Sequence, residues 1–389
     1  MPLPTRCLLI VALSTSILGC SSVQLRGPMP AASDPVGPLP PLEEAWSYDA
    51  EAGFGPSPAL LRGDVLLLGT RQGELLALEV GEDVRSRGRV ELGEAIEGRP
   101  ATDGKTAYVP VATGKKGVRA YDLTRGSTRW SRSYGPHLAG LVLDEAADVL
   151  VAASHDGVLR GLDPATGDER WVFRPDSAFA AAPGGVHYRA TPALLPGGLV
   201  AAVDDKGRLV ALDVRTGSLA WSHDLAAPVY ADLVGTPDGL LVSTTDGRLL
   251  AYDPDGAERW RYAAMPEVKL ASAGVGEGFV VVGGTDGGLR LLDDRTGRVR
   301  WTFSTDGAIA AAPAVDEVAG RTLVYVGAMD NRVVGVDAET GEAVWEAELD
   351  GRVKTAPIVA PGGVLFFREP SEVVMFRAAR MAATETRTD

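Results

Sequence analysis

Residues 283–301 read GGTDGGLRLLDDRTGRVRW, and this stretch is one copy of a unit that recurs along the chain. The Asp-Gly pair at 286–287 lies between two apolar runs and offers the positive φ that a tight hairpin turn requires. It predicts a two-residue hairpin that joins a strand over 280–284 to an antiparallel strand over 289–293. A second turn with Asp, Thr and Gly follows, and a third strand is expected to end at Trp301.

The other copies have the same spacing of glycine, aspartate and tryptophan. The clearest are SHDGVLRGLDPATGDERW (154–171), DDKGRLVALDVRTGSLAW (204–221), TTDGRLLAYDPDGAERW (244–260) and AMDNRVVGVDAETGEAVW (328–345). All seven tryptophans of the chain take the last position of a copy: Trp46, Trp130, Trp171, Trp221, Trp260, Trp301 and Trp345. The 84 residues between the first two hide a copy whose tryptophan is lost, and Val90 is expected in its place. The chain therefore holds eight repeats.

A period of about 40 to 45 residues with four short strands is typical of a β-propeller, in which no blade buries its faces alone. The predicted fold is all-β, an eight-bladed β-propeller of four-stranded antiparallel blades over residues 44–378. The segment around Trp46 resembles a last strand with no earlier strands before it, whereas three strands after residue 353 lack a fourth. The N-terminal strand is therefore expected to complete the last blade, which pairs both open edges.

The formal net charge of −14 argues against nucleic-acid binding, because no run of Lys and Arg is present to neutralise phosphates. An acidic surface of this kind keeps a protein soluble, and the alternative is a preference for partners with basic surfaces.

The N-terminus is typical of an exported protein. Arg6 precedes a short apolar run that ends in Ile-Leu-Gly-Cys at residues 17–20, which resembles a bacterial lipoprotein signal over 1–19 with lipidation at Cys20. An ordinary signal peptide with a chance cysteine is the alternative. Residue 21, which follows the cysteine, is Ser and not Asp, which resembles the sorting signal of lipoproteins sent to the outer membrane. Residues 20–43, rich in Pro, Ser and Gly, are predicted to be an extended tether, and residues 379–389 a polar tail.

Catalytic motifs are not evident. The four histidines lack metal-ligand spacing, and the two cysteines, at 7 and 20, lie outside the predicted propeller. One aspartate recurs in each of six repeats, which a turn-capping role predicts and a single catalytic site does not. We therefore expect no catalytic residue, no metal site and no cofactor.

One connection between blades is longer than the rest. The excess lies in residues 174–188, RPDSAFAAAPGGVHY, and we expect it to project on the same face as the Asp-Gly hairpins. Long loops of a compact fold often carry function, although a tolerated insertion remains the alternative.

The pattern Ala-Leu-Asp followed by Thr-Gly and Trp at residues 211–221 resembles the propeller repeat of pyrroloquinoline quinone enzymes. Those dehydrogenases have a stacking tryptophan, often a cysteine pair, and calcium in a central site. Here every tryptophan takes a repeat position and the predicted propeller holds no cysteine. A quinoprotein dehydrogenase is therefore the less favoured interpretation.

With its lipoprotein signal and eight blades, the chain resembles the outer-membrane protein assembly factor BamB family. The resemblance implies a non-catalytic periplasmic scaffold on the outer membrane, which binds the periplasmic domains of the barrel-forming subunit as a monomer within a larger complex. The nearest counterpart of the family's Leu-x-Leu-Arg contact segment is Val-His-Tyr-Arg at 186–189, which keeps the arginine and replaces both leucines. The family's Asp-x-Asp pair has no clean counterpart, and Asp232 is the only acid close by. The predicted partner-binding residues are Phe179, His187, Tyr188 and Arg189. A propeller lipoprotein that binds another envelope protein or a small axial ligand is the alternative.

Overall fold

The computed structural model describes residues 24–33, 35–55, 58–112, 117–175 and 186–379. Over these residues the regular elements are all β-strands, grouped as eight four-stranded antiparallel sheets. No helix among them is long and apolar enough to span a bilayer. The prediction of an all-β, eight-bladed propeller is confirmed.

Blades 1 to 8 follow one another along the chain, with the innermost strand first. The strand that precedes blade 1 is β1 (Leu42–Asp49). Blade 1 is β2 to β5 (Ala59–Arg62, Val65–Gly69, Glu74–Val80, Val84–Glu91), blade 2 is β6 to β9 (Ala101–Thr102, Thr106–Pro110, Val118–Asp122, Ser127–Arg132), blade 3 is β10 to β13 (Val142–Asp144, Val149–Ala153, Leu159–Leu162, Glu169–Phe173) and blade 4 is β14 to β17 (Ala193–Leu195, Leu199–Val203, Arg208–Asp213, Leu219–Asp224). Blade 5 is β18 to β21 (Val234–Thr236, Gly239–Ser243, Arg248–Tyr252, Glu258–Ala263), blade 6 is β22 to β25 (Gly274–Gly276, Phe279–Gly283, Gly288–Asp293, Val299–Ser304), blade 7 is β26 to β29 (Ala314–Val318, Arg321–Gly327, Arg332–Asp337, Ala343–Glu348) and blade 8 is β30 to β32 (Ile358–Ala360, Gly363–Arg368, Glu372–Ala378) with β1 outermost.

Closure of the ring takes place in blade 8. Strand β1 pairs antiparallel with β32, and Trp46 lies opposite Met375. The N-terminal strand thus completes the last blade, as predicted, and both sheet edges are paired.

The hydrophobic core lies between blades. The second strands of blades 1, 2, 3, 5 and 6 are buried at every residue, because both of their faces are covered by neighbouring blades. This explains why these strands read as continuous apolar runs and show no alternation.

The hairpin between β23 and β24 differs from the prediction by one residue. Gly284 donates its N–H to the carbonyl of Gly288, and Gly287 donates to Gly284. Residues 285–287 therefore form a three-residue loop, in which a turn is followed by Gly287 at φ +75°. An Asp-Gly pair is common to both loop lengths, so the sequence pattern alone does not separate them. Trp301 lies in the middle of β25 and does not end it.

Each tryptophan joins its blade to the next. All seven lie in an outermost strand and donate the indole N–H to a backbone carbonyl of the following blade. The pairs are Trp46–Gly81, Trp130–Pro164, Trp171–Val214, Trp221–Pro254, Trp260–Asp294, Trp301–Ala338 and Trp345–Leu42, with N···O distances of 2.7–3.2 Å. In five of these pairs the acceptor directly follows the repeat aspartate of the next blade.

Blade 1 has a glycine where the other blades have tryptophan. In blade 4, for example, Trp221 lies opposite Ala211, next to a shift in register. The equivalent pair in blade 1 is Gly88 with Ala77, again next to the shift, whereas Val90 lies opposite Leu75. The prediction of Val90 at this position is wrong, since the same shift lies next to the tryptophan pair in blades 2 to 7 and in blade 1 lies next to Gly88.

The segment before β1, predicted to be an extended tether, is packed against the propeller over its described residues. Leu25 and Met29 are buried in a cluster with apolar side chains of blades 1 and 2. Further along, Gly362 donates its N–H to the carbonyl of Val36, and the hydroxyl of Tyr325 donates to that of Pro38 at 3.2 Å. The proline-rich composition in this case accompanies an ordered, extended path.

Candidate functional site

The loops between the second and third strands of each blade and the connections between blades lie on one face, which we call the hairpin face. Tyr188 forms an isolated bridge with Asp204 at a blade 4 hairpin, and Leu270 forms one with Gly284 at the blade 6 hairpin. The end of the long connection therefore lies beside the hairpins, as the sequence pattern predicts.

A cavity of about 680 Å³ opens along the propeller axis. Its wall is built from the starts of the innermost strands, where small residues leave room near the axis. The charged side chains in this wall are Arg99, Arg189, Asp232, Lys269 and Lys354. Four cations and one carboxylate make the cavity basic, although the whole chain carries a net charge of −14.

Arg189 and Tyr230 form an exposed pair at the rim of this cavity. The guanidinium carbon lies 5.9 Å from the centroid of the tyrosine ring, within the range of a cation–π contact. Arg189 is exposed, and Tyr230 keeps 53% of its surface accessible. Tyr230 was missed at the sequence level. The signal that could have found it is an aromatic residue in a connection between blades, away from the repeat positions.

Asp232 does not face Arg189 with a free carboxylate. Its Oδ1 accepts the backbone N–H of Thr191 at 2.8 Å, and the hydroxyl of Thr191 accepts the N–H of Gly140 at 3.0 Å. These two bonds tie the inner strands of blades 3, 4 and 5 together. The acid that the sequence places near Arg189 is therefore a structural link at the base of the rim.

His187 packs beneath the rim of the cavity, two positions before Arg189 in the chain. Its imidazole stacks on that of His155, with ring centroids 3.9 Å apart, and its backbone N–H donates to Asp205 Oδ1 at 3.1 Å. Burial lowers the pKa of His155, and the neighbouring His187 and Arg189 lower it further. The stacked rings join the long connection to a hairpin of blade 3.

Tyr188 is placed differently from the prediction. Its side chain is 1% exposed and packs in the apolar cluster between blades 3 and 4. A buried ring offers no surface to a partner, so the expectation of a direct contact is corrected to a supporting role. Because successive residues of an extended segment point to opposite sides, Tyr188 faces inward while Arg189 faces outward.

Two other predicted residues lie outside the described part of the chain. Phe179 belongs to the undescribed stretch 176–185, and Cys20 to the undescribed stretch 1–23. Their predicted roles, partner binding and lipidation, stay predictions.

The repeat aspartates act in turns. Asp213 Oδ1 accepts the backbone N–H of Arg215 and of Thr216, and also the hydroxyl of Thr216. Asp293 has equivalent contacts, and the Arg300 guanidinium beside it lowers its pKa to about 2. Within the described ranges no group of His, Cys, Asp and Glu is arranged to hold a metal ion.

Comparison with known proteins agrees with this architecture. The family model for outer membrane protein assembly factor BamB matches residues 43–173, 155–308 and 285–384. The BamB protein of Shewanella oneidensis is 26% identical over 66% of this chain and 67% of its own length, and that of Bordetella pertussis is 28% identical over 69% of each.

Solved structures show the same fold. BamB from Moraxella catarrhalis has a TM-score of 0.68 at 18% identity and covers 88% of this chain and 99% of its own. The quinohemoprotein alcohol dehydrogenase of Comamonas testosteroni also has a TM-score of 0.68, at 13% identity, over 88% of this chain and 78% of its own. At these identities the likeness concerns the fold alone.

Proposed function

Because the chain belongs to the outer membrane protein assembly factor BamB family, we propose that it is a non-catalytic scaffold that assists the insertion of β-barrel proteins into the outer membrane. In this proposal it binds a periplasmic domain of the barrel-forming subunit, as a monomer within a larger complex. A lipid on Cys20 holds it on the periplasmic side of the outer membrane.

The observation that carries the proposal is the exposed pair of Arg189 and Tyr230 on the hairpin face. Arginine and tyrosine are enriched among the residues that dominate interface energies, since each combines a large contact area with directional polar groups. Here the two hold each other in place, which lowers the entropy lost on binding.

Neighbouring groups extend this surface. Met265 lies in the next connection, between blades 5 and 6, and is 66% exposed. Methionine adapts to irregular apolar partners and is enriched at interfaces. Lys269, in the same connection, adds positive charge at the cavity rim. The surface thus suits a partner that presents an apolar patch edged by carboxylates.

A charge reversal tests the proposal. We expect Arg189→Glu to abolish co-purification with the barrel-assembly complex from detergent-solubilised membranes and to leave the thermal unfolding midpoint unchanged. Arg295→Glu makes the same charge change in an exposed turn on the opposite face and should behave as wild type. If Arg189→Glu still co-purifies with the complex and the β-barrel proteins keep their wild-type abundance, this surface is not the binding site.

A second candidate function is the binding of a small anionic ligand in the axial cavity, favoured by its volume of about 680 Å³ and its excess of cations. Native mass spectrometry of the protein purified from its own host is the test. A bound small molecule that is lost in Arg99→Ala supports this candidate, and a mass equal to that of the polypeptide with its modifications excludes it. An absorbing cofactor would instead revive the quinoprotein interpretation.

A further inference from the structure

The joint between blades 1 and 2 is built differently from the other seven. At each of those, an indole N–H from one blade reaches a carbonyl of the next. Blade 1 has Gly88 at the tryptophan position, with φ +132°, a conformation that L side chains rarely adopt. The gap that remains has to be filled by another part of the chain.

Residues 24–30, which we call the wedge, occupy this gap. The backbone N–H of Gly27 donates to the carbonyl of Leu123 at 2.6 Å. Leu123 directly follows Asp122, so this carbonyl is the one that the indole of a tryptophan would reach in blade 1. The turn glycine that meets a tryptophan ring in other joints, here Gly126, meets the side chain of Arg26.

The wedge also replaces the apolar part of a tryptophan. Leu25 is 1% exposed and lies in one cluster with Leu75 of blade 1 and Val109 of blade 2. Its N–H donates to the carbonyl of Arg89 in blade 1, and its own carbonyl accepts the hydroxyl of Tyr121 in blade 2 at 3.0 Å. The wedge is thus bonded to both sides of the joint.

We propose that the wedge is the eighth joint of the propeller and that it clamps the membrane anchor to blades 1 and 2, so that this side of the ring faces the lipid surface. The second part rests on the proposed lipid at Cys20. Gln24 is four positions after Cys20, and an extended chain spans at most about 3.3–3.6 Å per position, so the anchor lies within about 14 Å of the joint.

The charge around the joint fits an anionic lipid surface. The wedge, β5 and residues 122–129 together contain six arginines and two carboxylates, and one of these arginines, Arg89, is paired with Glu51 and Glu74. The local charge is positive even with these two acids counted, in a chain whose net charge is strongly negative. Arg85 and Arg125 are exposed there. Basic residues held near a membrane are attracted to anionic head groups within about a Debye length.

The joint is tested by hydrogen exchange on the lipidated full-length protein. We expect Leu25→Asp to speed amide exchange in β5, β8 and β9 at least about tenfold, because an open joint lets water reach these strands and removes the bond from Leu25 to Arg89. We also expect faster trypsin cleavage after Arg26, because the backbone of the wedge is released. Val36→Asp, in the same N-terminal segment but 55% exposed, is the matched control and should match wild type. If Leu25→Asp prevents folding, Leu25→Ala supplies the same comparison. Unchanged exchange in these strands in the variant that folds would refute the wedge.

The orientation is tested with single fluorescent labels, because the chain has no cysteine beyond positions 7 and 20. Labels at Arg125→Cys in blade 2 and Arg295→Cys in blade 6 occupy corresponding turns on opposite sides of the ring. The protein is bound to vesicles that contain phosphatidylglycerol and a lipid with a spin-labelled head group. We expect the fluorescence of the label at 125 to be quenched at least about twofold more strongly than that at 295, because the short segment after Cys20 keeps blades 1 and 2 close to the membrane. Equal quenching would refute the membrane-facing side. If mass spectrometry finds no lipid on Cys20, the proposed clamp is refuted, but the hydrogen-exchange test of the joint is still valid. Neither measurement depends on partner binding through Arg189.

Discussion

The joint between blades 3 and 4 allows a quantitative test of how the repeat holds the ring together. Trp171 is buried, its indole N–H donates to the Val214 carbonyl at 2.8 Å, and its ring covers Gly217. Truncation to Ala removes this packing and leaves a cavity, so Trp171→Ala is expected to lower the free energy of unfolding by about 3–5 kcal/mol. Trp171→Phe keeps most of the apolar contact and should cost less.

Gly217 tests the same contact from the other side. A Cβ at this position would lie 2.6 Å from the tryptophan ring, and the backbone has φ +69°. Gly217→Ala therefore combines left-handed strain of about 1–2 kcal/mol with overpacking of about 1–3 kcal/mol. Gly197 is the matched control, since it has φ +82° but no atom within 4 Å of the added Cβ. Gly197→Ala should show the strain alone.

The free energies of unfolding of wild type, the single variants and the two double variants are measured by urea titration with circular dichroism. In the Trp171→Ala background the ring is absent, so Gly217→Ala should cost about 1–3 kcal/mol less than in wild type. Gly197→Ala should cost the same in both backgrounds. Additive effects of Trp171→Ala and Gly217→Ala would refute the inference that the turn glycine is required by the tryptophan of the preceding blade.

Two further predictions concern buried and capping groups. Burial lowers the pKa of His137 to about 4, so the folded chain keeps this ring neutral while the unfolded chain protonates it near pH 6.5. The neutral ring therefore stabilises the fold fully above pH 6.5, and up to about 3 kcal/mol of unfolding free energy is lost as the pH falls towards 4. The urea midpoint of His137→Gln should consequently fall less than that of wild type between about pH 7.5 and 4.5. Asp213→Ala should lower the free energy of unfolding by about 1 kcal/mol, because the hydrogen bonds in the turn are lost. EDTA should leave the urea midpoints of wild type and Asp213→Ala unchanged, and an effect on wild type alone would indicate that Asp213 binds a metal.

The fold was predictable because the same pattern of turn residues and apolar strands recurs eight times along the chain. Turn glycines and the spacing of tryptophans give the blades, and the unmatched strands at both ends give the closure. The errors occur where the pattern is compatible with two geometries. The Asp-Gly pair fits loops of two or three residues, and without a tryptophan in blade 1 the sequence has no marker that separates Gly88 from Val90 as the equivalent position.

The candidate site was less predictable, since side-chain direction depends on tertiary contacts. Arg189 and Tyr188 are adjacent in sequence, yet one is exposed and the other lies in the core between blades. Tyr230 is a single aromatic residue with no repeating pattern. The composition of the wedge is that of a linker and predicts a tether, and only Leu25 and Met29, four positions apart, distinguish it from one.

The two main departures from the repeat lie at different places on the propeller. The wedge enters at the joint of blades 1 and 2, and Met29 bonds to the turn between β6 and β7, at the opposite end of β7 from the hairpin face. Arg189 lies on the hairpin face, between blades 3 and 4. In an eight-bladed ring each blade turns the chain by about 45°, so the wedge and Arg189 are about a quarter-turn apart and lie towards opposite faces. In the proposed arrangement the anchor leaves the hairpin face open to the proposed partner, and substitutions at the two positions should affect membrane attachment and partner binding independently.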